Sequence, residues 1–341
     1  MGSILPIDGN RTMDAVALGR ICIDINPVDY FKKWGESTTF KKYVGGSPAN
    51  TAVGLARLGR SVGFIGCVSN DQMGDFCLDF FNREGIDTSA IVRARHGESL
   101  GLAFTEILSE QESSIIMYRD HVADLQLEPS DVSEQYIKDA KVLLLSGTAL
   151  SASPSREAAL KALELAALHD TAVIFDIDYR PYTWKNLDEV AIYYAIASRY
   201  AQVIMGSREE YDLMRGLLKK DHTDEEIASA LFAHKARLVI IKHGKDGSNA
   251  FTFDGDTYAV KPFPVKKLKS FGGGDGYSSA CIAGLLEGKP VEDCLEMGTA
   301  SASILVASHA CSSDMPTPPV LEDFIKDASA KYGKMVSRLV R

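Results

Sequence analysis

No run in the 341 residues approaches the roughly 18 to 20 consecutive apolar positions that a bilayer-spanning helix needs. Residues 1–11 carry no long apolar core of a secretory leader either, so a cytoplasmic protein with no membrane partner is expected. An excess of positive charge is also missing. With 37 Lys and Arg against 46 Asp and Glu, the formal net charge is −9, which disfavours a nucleic-acid partner and leaves only local basic pockets. The six cysteines, at 22, 67, 77, 281, 294 and 311, form no Cys-x-x-Cys pair, and the seven histidines show no metal-ligand spacing. That excludes a zinc site by pattern and fits buried thiols of a reduced compartment. No Gly-x-x-x-x-Gly-Lys-Ser/Thr occurs, and the first strand candidate is not followed by Gly-x-Gly-x-x-Gly, which argues against P-loop and dinucleotide sites. Internal repeats, low-complexity tracts and linkers rich in Pro, Gly or Ser are absent, so one domain over residues 1–341 is expected.

What is present is a rhythm. The chain is 45% hydrophobic and 24% charged, enough for a substantial core. Short apolar runs at 15–25, 61–68, 141–145, 171–176, 201–205 and 237–242 alternate with amphipathic stretches starting at Pro48, Gln72 and Ser153. Such alternation predicts a mostly parallel sheet covered by helices, and the nearly continuous apolarity of all but the first run predicts strands buried on both faces. Residues 29–44 and 98–119 break this rhythm with a period nearer two, as in Phe104, Glu106 and Leu108, and are expected to form a small β lid.

The most informative stretch is Gly272-Gly273-Gly274-Asp275-Gly276, which opens a helical run from Tyr277 to Glu287. A glycine turn at a helix start presents unpaired N–H groups and the positive end of the helix dipole, a setting for a phosphate or an anionic transition state. A carboxylate there would repel a phosphate, so Asp275 is better read as a base taking a proton from an attacking hydroxyl. On these residues alone, a Gly-rich loop with an Asp helix cap is an equal account. A second cluster, Gly45-Gly46-Ser47-Pro48-Ala49-Asn50, allows close approach to the backbone and offers an amide suited to sugar hydroxyls, or simply a helix capped by Ser47. The basic run Lys261, Lys266, Lys267 and Lys269 reads as a solvated loop approaching the glycine turn, or else as a local basic pocket that contacts an anionic ligand directly.

The two clusters in this order, with Gly63, Gly66, Asp71 and Gly74 between them, resemble the two signature regions of the ribokinase-like (PfkB) carbohydrate kinases, over about residues 15 to 330. The resemblance implies an enzyme: a three-layer α/β/α fold with a mostly parallel central sheet and a β-sheet lid over a sugar site. It implies that Asp275 is the base and that the N–H groups of Gly272, Gly273 and Gly274 form an anion hole. It also implies sugar contacts from Asp24, Gly45, Gly46 and Asn50, and ATP contacts from Lys242, Gly244 and Gly247 together with Gly272 and Gly274. The family's Asn-x-x-Glu is matched as Gly206-x-x-Glu209, with Glu209 expected to hold the Mg2+ of Mg2+-ATP through water. The usual Asp-Thr before the turn is Lys269-Ser270 here, which leaves the monovalent-cation requirement open.

On the sugar side, Arg119 and Arg180 stand near strand ends, where open α/β sheets bind ligands. Two converging guanidinium groups suit a carboxylate better than a neutral hexose, although each could instead pair with Asp120 or Asp178. The segments 118–124, 146–157 and 178–184 resemble one branch of the family in particular. What that implies is transfer of a phosphoryl group from ATP to the 6-hydroxyl of a sugar acid, 5-dehydro-2-deoxy-D-gluconate. A 2-keto-3-deoxygluconate kinase, or another sugar kinase of the family, is the alternative, and a catalytically silent sugar-binding regulator on the same fold is the reading from a different class. The resemblance further suggests a homodimer formed through the lid.

Overall fold

The computed structural model describes residues 4–110, 112–214 and 222–339. The elements at the N-terminal end are β1 (Met13–Leu18), β2 (Cys22–Pro27), β3 (Phe40–Gly45), α1 (Ser47–Arg57), β4 (Val62–Val68), α2 (Gln72–Arg83), β5 (Ile91–Arg93), β6 (Gly101–Ile107) and β7 (Ser113–Tyr118). The middle of the chain forms α3 (Glu134–Asp139), β8 (Ala140–Ser146), α4 (Ser155–Leu168), β9 (Ala172–Asp176), α5 (Leu187–Ser198), β10 (Val203–Ser207), α6 (Arg208–Asp212), α7 (Asp224–Phe232) and β11 (Leu238–Lys242). The rest comprises β12 (Ser248–Thr252), β13 (Thr257–Val260), α8 (Gly273–Leu286), α9 (Val291–Val306), α10 (Pro318–Tyr332) and β14 (Val336–Leu339).

Ten strands form one sheet in the order β14-β13-β12-β11-β10-β9-β8-β1-β4-β5, parallel from β11 to β5 and antiparallel at the β12–β14 end. Strands such as Val142–Leu145 are buried at every position because helices cover both faces. Alternation along β1 shows how: Ala15 and Ala17 pack toward α1, α8 and α9, while Val16 and Leu18 pack toward α4 and α5. The result is the helix-covered, mostly parallel sheet that the rhythm of the sequence predicts, in the three-layer α/β/α form that the resemblance implies.

A second sheet, β3-β2-β6-β7, stands apart as the lid, with β2 and β6 parallel and the other two pairs antiparallel. Here the apolar run 15–25 departs from expectation, since it is two strands in two sheets. At Gly19 (φ +150°) the chain leaves the main sheet, and a Cβ there would lie 3.0 Å from Pro48 Cγ. Asp24 therefore belongs to the lid and not to the end of a main-sheet strand. The parallel strands β8 to β11 end at Ser146, Asp176, Ser207 and Lys242, which share one edge of the sheet. That edge is where loops can gather polar side chains around a ligand.

Candidate active site

A cleft of about 1150 Å³ opens over that edge, lined by Ser47, Asp176, Asp178, Arg180, Glu210, Lys242, Gly244, Gly247, Lys269, Gly272, Gly273, Gly274 and Asp275, among others. A smaller cavity of about 200 Å³ near Thr171, Ala172 and Gln202 lies at the opposite ends of β9 and β10 and contains none of these groups.

Helix α8 begins at Gly273, four residues before the expected Tyr277, so the glycine turn is itself the first helical turn. Gly272 caps it in the left-handed region at φ +85°, a conformation that favours glycine. By position, the N–H groups of Gly273, Gly274 and Asp275 have no intrahelical acceptor and point out of the helix start. Asp275 sits among them, and its two oxygens accept from Ser47 Oγ and Asn50 Nδ2, each at 2.7 Å. The two glycine clusters, some 225 residues apart in sequence, thus meet through a single carboxylate. Ser47 and Asn50 hold Asp275; Ser47 is the first residue of α1 and does not cap it, the cap being Gly46 with no side-chain bond. Burial, reinforced by the charge of Asp178, pushes the Asp275 carboxyl up to about 6, and the two donors only partly offset this.

Lys242, at the end of β11, reaches the same turn: a Cβ on Gly274 would lie 3.7 Å from its Nζ. Burial works against its charge, but Asp176, Glu210 and Asp275 outweigh that and hold its pKa above the usual lysine value. Its Nζ is 3.9 Å from Asp176 Oδ1, and Asp176 also accepts from Ser278 Oγ at 3.0 Å. Gly244 and Gly247 follow in the loop that lines the same cleft, and a Cβ on Gly247 (φ +97°) would lie 1.9 Å from the carbonyl oxygen of Val260.

The acidic pair at 209 and 210 needs a correction. Glu209 is exposed and does not line the cleft, whereas Glu210 does. Glu210 accepts from the Tyr179 N–H at 2.8 Å and, in a capping box with Ser207, from the Ser207 N–H at 2.7 Å. The x-x-Glu spacing therefore runs from Ser207 to Glu210, one residue later than Gly206 to Glu209. A side chain at 206 would also collide, since its Cβ would lie 2.5 Å from Ile177 Cδ1. Among the described residues no three His, Cys, Asp or Glu side chains gather as a metal cage. Asp176 and Glu210 beside Lys242 do fit a magnesium ion that arrives on nucleotide phosphates and keeps its waters.

On the lid side, burial raises the Asp24 pKa, although Arg20 and Lys269 pull it down. Gly45 lies against this group: a Cβ there would come within 2.1 Å of the carboxylate, and a Cβ on Gly46 (φ +102°) would come within 2.4 Å of the carbonyl oxygen of Arg20. Arg180 lines the cleft, pairs with Asp178 Oδ1 at 2.8 Å and donates to its neighbour's carbonyl, Tyr179 O. Arg119 is placed differently from the expectation of a cleft-facing guanidinium. Its fork is closed by Asp124, at 3.1 and 2.6 Å, and both side chains are at most 3% exposed. Its partner is Asp124, not Asp120.

Two further cations lie near the site, of which Arg20 had not been singled out in the sequence. Arg20, 4% exposed at the turn from β1 into the lid, has no hydrogen-bond partner for Nε or Nη1 among the described residues. It helps hold Asp178 ionised. Lys269, expected on a solvated loop, is completely buried.

Known proteins resemble this arrangement throughout. The family model for pfkB family carbohydrate kinases matches residues 13–318. A 5-dehydro-2-deoxygluconokinase of Clostridium perfringens is 59% identical over 334 residues, covering 98% of this chain and 99% of its own. The protein of the same name from Geobacillus kaustophilus is 50% identical, covering 95% and 97%. Among solved structures, a PfkB protein from Polaromonas sp. JS666 aligns with a TM-score of 0.78 at 25% identity, covering 91% and 99%. A fructokinase from Xylella fastidiosa with bound ATP aligns with a TM-score of 0.80 at 23% identity, covering 92% and 99%.

Proposed function

The chain belongs to the pfkB family of carbohydrate kinases, and from that premise we propose that it phosphorylates the 6-hydroxyl of 5-dehydro-2-deoxy-D-gluconate with Mg2+-ATP. The observation that carries the chemistry is Asp275, with its pKa raised to about 6 and its carboxylate set in a glycine helix start. At neutral pH a group of that pKa is mostly ionised yet basic enough to accept a proton in the transition state. The acceptor hydroxyl approaches Asp275. As its oxygen bonds to the γ-phosphorus, its proton passes to the carboxylate and the bond to ADP breaks. The N–H groups of the turn and the Lys242 ammonium stand where negative charge gathers on the transferring group, so positioning and charge supply most of the rate.

Asp176 and Glu210 are the carboxylates placed to hold the magnesium ion through its waters, and the ion would neutralise charge on the β and γ oxygens. On the acceptor side we assign the carboxylate end of the sugar acid to Arg180, with the unpartnered donors of Arg20, whose charge acts on Asp178 and Asp24, as a second cation for it. Asp24, Gly45, Gly46 and Asn50 frame the hydroxyls, and Arg119 acts by fixing the lid strand through Asp124. Relatives of 50–59% identity named for this substrate support the choice. The exposed Ile116 and Tyr118 on β7 support pairing of two copies through the lid, which sedimentation equilibrium would read as twice the mass of one chain.

The test is an ATP-consumption assay across sugar acids and neutral sugars. Turnover selective for 5-dehydro-2-deoxy-D-gluconate is expected. Turnover confined to 2-keto-3-deoxygluconate, fructose or ribose would overturn the substrate, and no turnover with any of them would leave a sugar-binding regulator.

A further inference from the structure

Lys269 has 0% of its surface exposed, and among the described residues no carboxylate forms an ion pair with it. Its ammonium donates to the carbonyl oxygens of Ala310 (2.7 Å) and His309 (3.3 Å) and approaches Cys311 Sγ at 3.3 Å. The ring of Phe271 faces it with its centroid 5.0 Å away. Burial pushes the Cys311 thiol up to about 12, so the sulfur is no counter-ion at neutral pH. A buried ammonium held by main-chain oxygens and a ring face, with no carboxylate in ion-pair contact, is an arrangement whose desolvation is costly unless the charge is used.

The place where it is used is adjacent. A Cβ on Gly272 would lie 3.6 Å from Lys269 Nζ and 2.6 Å from Cys311 Sγ, so the ammonium lies directly behind the cap of α8. This charge and the positive end of the helix lie side by side, and an anionic phosphoryl group at the turn would satisfy both. The same cradle is tied to the lid: the His309 carbonyl also accepts from Asn26 Nδ2 at 3.0 Å, and its ring bonds Tyr43 Oη and the Pro27 carbonyl. Lys269 also lowers the pKa of Asp24 on the lid.

Main-chain carbonyl oxygens clustered beside an anion site are the chemistry that binds K+ or Na+, and some ribokinase-like enzymes have such a cation near this turn. The residues of this chain do not fit one, because the carbonyl oxygens that would hold it already accept from the protein's own ammonium. We propose that Lys269 is a tethered replacement for a monovalent cation. It positions the glycine turn and supplies its positive charge, so phosphoryl transfer by this chain is independent of K+ and Na+.

The proposal rests on the kinase reading but not on which sugar is phosphorylated. Its first test needs no substrate: the thermal midpoint of the wild-type protein should be the same in KCl and in choline chloride at equal ionic strength, and a K+-specific, saturable rise would overturn it. In turnover assays, kcat in K+- and Na+-free buffer should lie within about twofold of kcat with ~100 mM KCl, whereas activation of about tenfold or more would overturn it. Lys269→Met, apolar and similar in length, should lose about tenfold or more in kcat and recover part of it with added K+ or NH4+. A folded Lys269→Met protein with wild-type kcat in cation-free buffer would refute the role. Should that variant fail to fold, the two wild-type arms still decide the question.

Discussion

Replacing Asp275 by Asn separates the cost of the base from its use. The carboxyl is raised from 3.8 to about 6, mainly by burial. A roughly 2-unit shift corresponds to about 3 kcal/mol by which the ionised form weakens the fold at neutral pH. Because the folded-state pKa lies above the unfolded one, the folded protein binds the proton more tightly. Wild-type stability therefore falls as pH rises from about 4 through 6 and stays low above. Asn removes that charge; with its oxygen on Asn50 Nδ2 its NH2 can donate to Ser47 Oγ, so the cost is the loss of two charge-assisted bonds and of the partner of the serine O–H, about 1–2 kcal/mol. The net expectation is a variant about 1–2 kcal/mol more stable at pH 8, with an advantage that shrinks toward pH 4. Its kcat should fall by ~10² or more, while calorimetric ATP affinity stays close to wild type. The wild-type kcat/KM should show an acid limb near pH 6 that the variant lacks. Near-normal turnover of Asp275→Asn would refute the base assignment, and a variant less stable than wild type at pH 8 would refute the account of the raised pKa.

The neighbouring acids can be told apart: Glu210→Gln should raise the Mg2+ concentration needed for half-maximal rate and lower kcat by about tenfold, while exposed Glu209→Gln leaves both unchanged. Equal effects would restore Glu209. For the two arginines, Arg180→Ala should weaken calorimetric binding of the sugar acid by about 2–3 kcal/mol with little change for ATP. Arg119→Ala, which strands Asp124 in the interior, should instead lower folding stability by roughly 3–5 kcal/mol in denaturant titrations. Finally, Gly45→Ala places a methyl in the space of the Asp24 carboxylate and should raise the sugar KM by about tenfold or more while leaving the ATP KM alone. A matched rise in both would place Asp24 outside the sugar site.

The main sheet was legible because its strands are apolar at nearly every position, as Val142–Leu145 shows. The division between β1 and β2 was not, because apolar residues continue through Ile21, Cys22 and Ile23 on both sides of the break. Local pattern cannot say that a strand changes sheets. That Asp275 and Asn50 would meet could be suspected only from the two glycine clusters taken together, since either cluster alone is equally well a capped helix start. The choice of Glu209 over Glu210 failed by one residue, since only the capping box around Ser207 fixes which of the two turns inward. Arg119 was misread because its partner, Asp124, lies beyond a turn that brings the chain back on itself. Lys269 looked solvated for a related reason: its acceptors are backbone carbonyls some 40 residues away, which no side-chain pattern advertises.

The distribution of charge around the cleft explains why the Asp275 carboxyl stays raised with cations so near. Lys242 lies close to the turn, but its charge is matched first by Asp176 and Glu210, and only then by Asp275. Arg180 is matched first by Asp178, and Asp178 is held ionised by Arg180 and Arg20 against the cost of burial. That ionised Asp178 in turn raises Asp275. Lys269, which forms no ion pair with a carboxylate among the described residues, has its Nζ 3.6 Å from where a Cβ on Gly272 would lie and donates to the Ala310 carbonyl. If Lys242 or Arg180 paired directly with Asp275, the carboxyl would fall below its ordinary range and accept a proton poorly. The arrangement gives each of these two cations another acid and leaves Asp275 bonded to the neutral donors Ser47 and Asn50.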